Sequence, residues 1–206
     1  MTEVVTVESH EGAMNVPKDL PVLAFSSQKA WEAWLAQQDM SSKGLWVKLA
    51  KKGSGLDSVT YAEAVQVALC YGWIDGQANR LDDDYYLQRF TPRRARSKWS
   101  KINRGRAEKL IASGAIKAAG LKEVERARAD GRWDAAYDAP STATIPDDLR
   151  VELEKNDKVR SSFASLNATN RYAILHRIQD AKRPETRARR IEKFVAMLER
   201  GEKIYP

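Results

Sequence analysis

The sequence predicts an α+β protein: a small antiparallel sheet with helices packed on it, followed by an all-helical C-terminal region. Three observations predict this class. Short runs of alternating apolar residues lie in the N-terminal part of the chain, whereas the C-terminal part shows only helical spacing. A stretch rich in Ala, Ser, Thr and Pro separates the two parts at residues 134–146. Hydrophobic residues make up 43% of the 206 residues, which indicates a packed core.

The first predicted elements are a strand, a helix and a second strand. "LPVLAF" (20–25) is typical of a short strand, and Ser26 or Ser27 can cap the helix that follows. The second strand lies in "KGLWVKLAKKG", where alternate residues over Leu45–Leu49 face the core and Trp46 faces outward.

A buried helix and a hairpin come next. Thr60 and Glu63 form a T-x-x-E capping box before a helix that is apolar nearly all round, so this helix should be central. "IDGQANRLDDDYYLQRFTP" predicts two antiparallel strands joined at Asp82–Asp84. Two further helices fit residues 97–114 and 117–133.

Four segments are expected along the chain. They are a polar N-terminal tail (1–19), an α+β core domain (20–133), a linker (134–146) and a helical C-terminal domain (147–206). The helical domain should contain four helices, at 147–155, 158–166, 169–180 and 184–200.

The N-terminus and the cysteine count predict a cytoplasmic location. The N-terminal stretch has neither a basic start nor a long apolar run, so it does not resemble a signal peptide. No apolar run approaches the ~20 residues needed to span a bilayer. Cys70 is the single cysteine, which excludes an internal disulfide, and we expect it to be a small buried hydrophobe.

The stretch "LCYGWIDGQ" (69–77) places one carboxylate and two glycines in an apolar run. One interpretation is structural: Asp75 accepts backbone N–H bonds at a tight turn between the buried helix and the hairpin. The other is functional: Asp75 lies at the floor of a cleft, and Trp73 and Gln77 line this candidate pocket with it.

The usual catalytic and metal-binding motifs are missing from the sequence. It has no C-x-x-C, H-E-x-x-H or G-x-S-x-G pattern, and its two histidines, His10 and His176, lie far apart. Asp82–Asp84 is better explained as a solvated hairpin turn than as a cation site, because consecutive side chains diverge. We therefore expect no metal, no cofactor and no catalytic residue.

A weak anion-binding signal lies in "KKGSG". Lys51 and Lys52, the flexible Gly53 and Gly55, and the nearby N-terminus of the helix capped by Thr60 together favour a small anion. An ordinary flexible loop is the alternative.

Positive charge is concentrated in one segment. The formal net charge is +7, yet Arg89–Lys109 alone contains nine basic residues and one acid. Cations interleaved with aromatic residues are typical of nucleic-acid surfaces. The candidate polyanion-binding residues are Arg89, Phe90, Arg93, Arg94, Arg96, Lys98, Trp99, Lys101, Arg104 and Arg106. A solvated basic face whose arginines pair with acids elsewhere in the chain is the alternative.

Several long motifs carry a family resemblance. At "ALCYGWIDGQ", "YYLQRFTPRRARSKWSKIN", "DGRWDAAYDAP" and "AKRPETRARRIEKFVAMLERGEK" the chain resembles the YdeI/OmpD-associated, bacteriocin-protection family, over about residues 20–200. The resemblance implies a bacterial protein, and it supplies no established catalytic residue for this sequence. It implies family-type positions at Gly72, Trp73, Asp75, Gly76, Gln77, Arg89, Phe90, Pro92, Arg93, Arg94, Ser97, Trp99 and Lys101.

These observations favour a non-enzymatic cytosolic binding protein of the stress or defence type, whose basic face engages nucleic acid or another polyanion. Two alternatives stay open. One is a small-molecule or anion-binding protein, or an enzyme, that uses the "GWIDGQ" cleft. The other is an interaction module for an acidic protein partner. The sequence leaves the oligomeric state open.

Overall fold

The computed structural model describes residues 4–6 and 16–206, and it has the predicted α+β class. The chain divides into two compact units. The sheet unit comprises residues up to Ser97 together with Asn103–Asp134, and the helical unit comprises Lys98–Ile102 together with Ala135–Pro206.

The strands are β1 (Val4–Thr6), β2 (Val22–Phe25), β3 (Leu45–Ala50), β4 (Trp73–Arg80) and β5 (Tyr85–Pro92). The helices are α1 (Gln28–Leu35), α2 (Tyr61–Cys70), α3 (Lys101–Ala112), α4 (Ala118–Ala129), α5 (Asp147–Glu154), α6 (Asp157–Ser165), α7 (Ala168–Gln179) and α8 (Pro184–Glu199). The hairpin β4–β5 and the four C-terminal helices lie where the sequence predicts them.

The sheet has the strand order β1-β2-β3-β5-β4. Three of its pairings are antiparallel, and the β2–β3 pairing is parallel. The parallel pair arises because α1 connects β2 to β3, and a helical crossover returns the chain in the same direction. Strand β1 lies within the segment predicted to be a tail; residues 1–3 and 7–15 of that segment lie outside the described residues.

The face of the sheet that α1 and α2 cover carries an aromatic core. The ring of Trp31 lies 5.0 Å from Phe25, 5.4 Å from Phe90 and 6.5 Å from Trp73. Its indole N–H donates to the Ala64 carbonyl at 3.1 Å, which fixes the ring against α2. This packing buries the aromatic face of the hairpin under the two helices.

The opposite face of the sheet has a smaller core, which the sequence did not predict. Trp46 is buried there with Val22 and Leu87 rather than facing outward. Its indole N–H donates to Asp19 at 3.0 Å. Val16 and Leu20 supply further apolar cover, so Trp46 is buried on this face of β3 while Leu45, Val47 and Leu49 are buried on the other.

The helical unit packs α5–α8 around one apolar cluster that includes Leu149, Phe163, Ile174 and Leu198. The segment 98–102 belongs to this unit. Its backbone pairs with Tyr137, which donates to the Trp99 carbonyl at 3.0 Å and accepts from the Lys101 amide at 2.8 Å.

Candidate functional sites: a tyrosine–aspartate pair and a two-arginine turn

Asp75 lies inside β4, and the interpretation that it fixes the helix-to-strand turn is wrong. That turn lies at Tyr71 and Gly72, where Gly72 has a φ of +75°. Glycine adopts this left-handed conformation without a steric penalty, so the turn needs no carboxylate. Asp75 is the third residue of β4, and its Oδ2 accepts a hydrogen bond from the Tyr61 hydroxyl at 2.7 Å.

A β-bulge follows Asp75 directly. Asp75 pairs with Phe90 and Ala78 with Gln88, so Gly76 and Gln77 oppose Arg89 alone. The buried Gln88 amide donates to the Gly76 carbonyl at 2.8 Å and to the Gln77 carbonyl at 3.2 Å. Sequence reasoning missed Gln88. A carboxamide on the core side of an apolar strand was the available signal, since a buried amide needs partners. A β-bulge changes the direction of the side chains beside it, and this bulge directly follows Asp75.

The predicted pocket residues lie in three different environments. Trp73 is buried in the aromatic core, 5.8 Å from the ring of Trp34, and has no surface with which to line a cleft. Gln77 is exposed within the bulge. Asp75 is half-buried. The structure therefore replaces the predicted trio with Asp75 and Tyr61, and the Tyr61 contact joins β4 to the first turn of α2.

The electrostatics of this pair keep Tyr61 protonated. Burial, the hydrogen bond to Asp75 and the negative charge of Asp75 raise the pKa of Tyr61 well above its ordinary value, and the nearby positive charge of Arg106 opposes this shift. Tyr86 also lies close enough to raise the pKa of Tyr61 slightly. Tyr61 is therefore a hydrogen-bond donor at neutral pH rather than a base.

The candidate anion loop contacts main-chain carbonyl groups of the hairpin turn. The Lys51 ammonium donates to the Asp82 carbonyl at 2.7 Å, and the Lys51 amide donates to the Asp84 carbonyl at 2.7 Å. The loop that contains Lys52 turns through positive φ at Gly53 and Gly55. Lys51 thus contacts the main chain of the Asp82–Asp84 hairpin turn through both its ammonium and its amide.

The predicted stacking role of the aromatic residues in the basic segment is wrong. Phe90 is 0% exposed and Trp99 is 2% exposed, because each belongs to an apolar core. Arg93 is 3% exposed, and its amide donates to the Gly72 carbonyl at 2.9 Å. None of these three side chains offers a surface to a nucleic acid.

Several cations of the basic segment form ion pairs within their own unit. Arg89 contacts Asp19 at 3.1 Å in the sheet unit. In the helical unit, Lys98 contacts Asp180 at 2.5 Å and Lys101 contacts Asp138 at 2.7 Å. Arg104 donates to the Trp133 carbonyl at 3.3 Å and lies 3.9 Å from Glu108, and Arg106 donates to Asn103 at 3.2 Å. The predicted continuous basic face is thus divided between two units and partly neutralised.

Two exposed arginines remain on a fixed turn. The Ser97 amide donates to the Arg94 carbonyl at 2.9 Å, and the Ser97 hydroxyl accepts from the Arg94 amide at 2.9 Å. The Arg132 guanidinium donates to the Ser97 carbonyl at 2.7 Å. This two-arginine turn, residues 94–97, holds Arg94 and Arg96 in solvent on a braced backbone.

The described part of the chain contains neither a metal-binding cluster nor a helix that could span a membrane. Among residues 4–6 and 16–206, no group of three His, Cys, Asp or Glu side chains converges on a metal position. Asp82 instead accepts from the amides of Asp84 and Tyr85 within the hairpin turn. Over the same residues, no helix has the length and apolar character needed to cross a membrane.

Two parts of the chain match models of known protein domains. Residues 23–123 match a domain described as "Domain of unknown function (DUF8412)", and residues 142–201 match a family described as "Bacteriocin-protection, YdeI or OmpD-Associated". No curated protein and no solved structure matches the chain. The resemblance that the sequence motifs suggested is confirmed for the C-terminal part, where residues 142–201 are similar to the bacteriocin-protection, YdeI or OmpD-associated family.

Proposed function

We propose that this protein is a cytosolic, non-enzymatic binding protein of the stress or defence type that contacts the phosphates of nucleic acid through the two-arginine turn. The exposure of Arg94 and Arg96 on a braced turn is the observation that carries the proposal. A guanidinium binds phosphate oxygens through two parallel hydrogen bonds, and a fixed backbone reduces the entropy lost on binding.

The burial of Phe90 and Trp99 limits what such a surface can read. Without stacking side chains from this segment, the contact is to the sugar–phosphate backbone and has little sequence preference. Affinity should then depend strongly on salt, because each phosphate contact releases condensed counterions.

Fluorescence anisotropy with labelled duplex and single-stranded DNA and RNA, across a salt series, tests the proposal. The test variant is Arg94→Gln/Arg96→Gln. The matched control is Arg80→Gln/Arg200→Gln, which removes the same charge from two other exposed arginines. We expect the test variant to reduce the slope of log K against log salt by roughly 0.9 per lost duplex contact, and the control to leave it unchanged. Equal effects of the two double variants, or no binding even at low salt, would exclude this function.

Two further experiments separate nucleic acid from other acidic partners. Heparin that displaces the nucleic acid less well than its charge density predicts would favour nucleic acid over a general polyanion. An acidic protein partner is the alternative that a pull-down with and without nuclease separates, because such a partner stays bound after nuclease treatment.

The Tyr61–Asp75 pair supports a second candidate, a small-molecule site. One hydroxyl donor and one half-buried carboxylate lie next to a bulge that the Gln88 amide fixes, and this provides oriented polar groups at a sheet edge. Native mass spectrometry of the purified protein and of Tyr61→Phe tests this candidate. A co-purifying small molecule that the Tyr61→Phe variant loses would favour it.

A further inference from the structure

The helical unit contains a groove between α5 and α8, separate from both sites described above. Its volume is about 600 Å³. Ala188, Ile191, Val195 and Ala196 of α8 form its apolar floor. Ile191 is buried in the core of the unit, whereas Ala188 is exposed, so the floor passes from core to solvent. Alanines at two of these positions leave room for a close partner.

The rim of this groove is acidic. Four carboxylates line it, from Asp148, Glu152, Glu192 and Glu199, against the single guanidinium of Arg187, which gives the lining a net charge of −3. Arg187 is already committed to Asp148, since its Nε and Nη2 donate to the two carboxylate oxygens at 2.5 and 2.8 Å. This contact also lowers the pKa of Asp148.

Two of the three remaining carboxylates have only exposed partners. Glu152 contacts the exposed Lys155 at 2.6 Å, and Glu199 accepts from the Asn156 amide at 3.2 Å. Exposed ion pairs of this kind contribute little and exchange readily with a competing cation. Glu192 is exposed beside the apolar floor. An acidic rim is unexpected in a chain whose net charge is +7.

A second groove in the same unit shows that the acidic character is local. That groove has a volume of about 380 Å³, and three arginines and one glutamate line it beside Leu153 and Phe163. Its lining carries +2, so the two grooves would select ligands of opposite charge.

The dimensions of the acidic groove suit a helix. Its lining residues recur along the whole of α8, from Pro184 to Glu199, and those 16 residues span about 24 Å.

We infer that this groove binds a basic amphipathic helix of another protein. The apolar stripe of the partner packs on Ala188, Val195 and Ala196, and its Lys or Arg residues pair with Glu152, Glu192 and Glu199. Charge complementarity selects the partner: an acidic helix would place like charges against the rim. The inference does not depend on phosphate binding by the sheet unit.

Isothermal titration with two designed 18-residue peptides tests this inference. Both peptides carry Leu at the i, i+3, i+4, i+7 positions; one has Lys at the other positions and one has Glu. We expect the Leu/Lys peptide to bind the full-length protein at least about tenfold more tightly than the Leu/Glu peptide. The net positive charge of the protein disfavours non-specific attraction of the Leu/Lys peptide, so its binding would report the groove.

Two substitutions locate the binding. Ala188→Trp fills the groove and should weaken binding about tenfold or more, and Ala112→Trp is its control at an exposed alanine of α3. Glu192→Lys, which needs no space in the core, should weaken binding about threefold or more, and Glu125→Lys is its control on α4.

The inference fails if the Leu/Lys peptide does not bind, if both peptides bind equally, or if each variant matches its control. A dimer in sedimentation experiments that Ala188→Trp alone abolishes would assign the groove to a second copy and overturn the inference.

Discussion

The Tyr61 hydroxyl donates a hydrogen bond to Oδ2 of Asp75 across 2.7 Å and so joins the first residue of α2 to the edge strand β4. The capping box of Thr60 and Glu63 determines where α2 begins, and this places Tyr61 opposite the strand. Edge strands are held on one side only, so a side-chain bond to a helix adds a constraint that the sheet does not supply.

Replacing Tyr61 by Phe should lower the free energy of unfolding by about 0.5–1.5 kcal/mol, because it removes the donor and leaves a half-buried carboxylate with one partner fewer. Tyr61 is itself partly exposed, so the lower half of this range is expected. Urea unfolding at neutral pH measures the change. Tyr86→Phe is the control, since the Tyr86 hydroxyl has no hydrogen bond among the described residues. Equal losses in the two variants would show that the bond to Asp75 contributes nothing specific.

Stability should fall in alkali, in part through Tyr61. Burial and Asp75 raise the pKa of Tyr61 in the folded state above the ordinary value of 10.0, so the folded protein retains a proton that the unfolded chain releases. The contribution is fully present below pH 10.0 and is lost as the pH rises above 10.0 toward the folded-state pKa. Urea unfolding as a function of pH should therefore show a shallower alkaline loss for Tyr61→Phe than for the unsubstituted protein. Parallel curves would contradict the raised pKa.

Local signals predicted the elements of the fold well. The capping box at Thr60, the Asp82–Asp84 hairpin turn and the Pro184 helix start each depend on residues close in sequence, and all three appear in the structure. Non-local features were not predictable in this way. The parallel β2–β3 pairing depends on where a crossover helix packs, and β1 depends on a pairing across about twenty residues.

The candidate sites were predicted less well, for the same reason. Charge density in the Arg89–Lys109 segment was visible, but the ion pairs that neutralise Lys98 and Lys101 come from residues far along the chain. Asp75 was visible as an isolated carboxylate, whereas its partner Tyr61 lies on another element. Phe90 and Trp99 are of the residue types that stack on bases, and the sequence does not distinguish an exposed aromatic residue from a buried one. The packing in the structure shows that both are buried.

His176 should remain neutral at pH 7. Burial, and then the positive charge of Lys98, lower its pKa below 6.5, although Asp180 opposes the shift. Its ring packs 5.1 Å from Tyr137 and 5.6 Å from Tyr172. For a base with a lowered folded-state pKa, the stabilising contribution is present above pH 6.5 and is lost as the pH falls below 6.5 toward the folded-state value.

An NMR pH titration of the imidazole protons measures this shift directly. His10 is the other histidine of the chain, and His10→Gln identifies its signal. The His176 signal should titrate below pH 6.5, and His176→Phe should flatten the dependence of unfolding free energy on pH in that range. A His176 pKa at or above 6.5 would contradict the expectation.

Gly120 and Gly105 should respond to alanine with opposite signs. A Cβ at Gly120 would lie 2.4 Å from the Cys70 carbonyl oxygen and 2.5 Å from that of Leu69, so α4 would have to move away from the C-terminal end of α2. We expect Gly120→Ala to destabilise the protein by about 1–3 kcal/mol or more.

Gly105 lies inside α3, and a Cβ at this position would meet nothing within 4 Å. Gly105→Ala should therefore stabilise the protein by about 0.5–1 kcal/mol, because alanine loses less backbone entropy in a helix. Urea unfolding of both variants distinguishes a steric cost at the α2–α4 contact from a general effect of helical glycines, and stabilisation by both substitutions would show that this contact yields without cost.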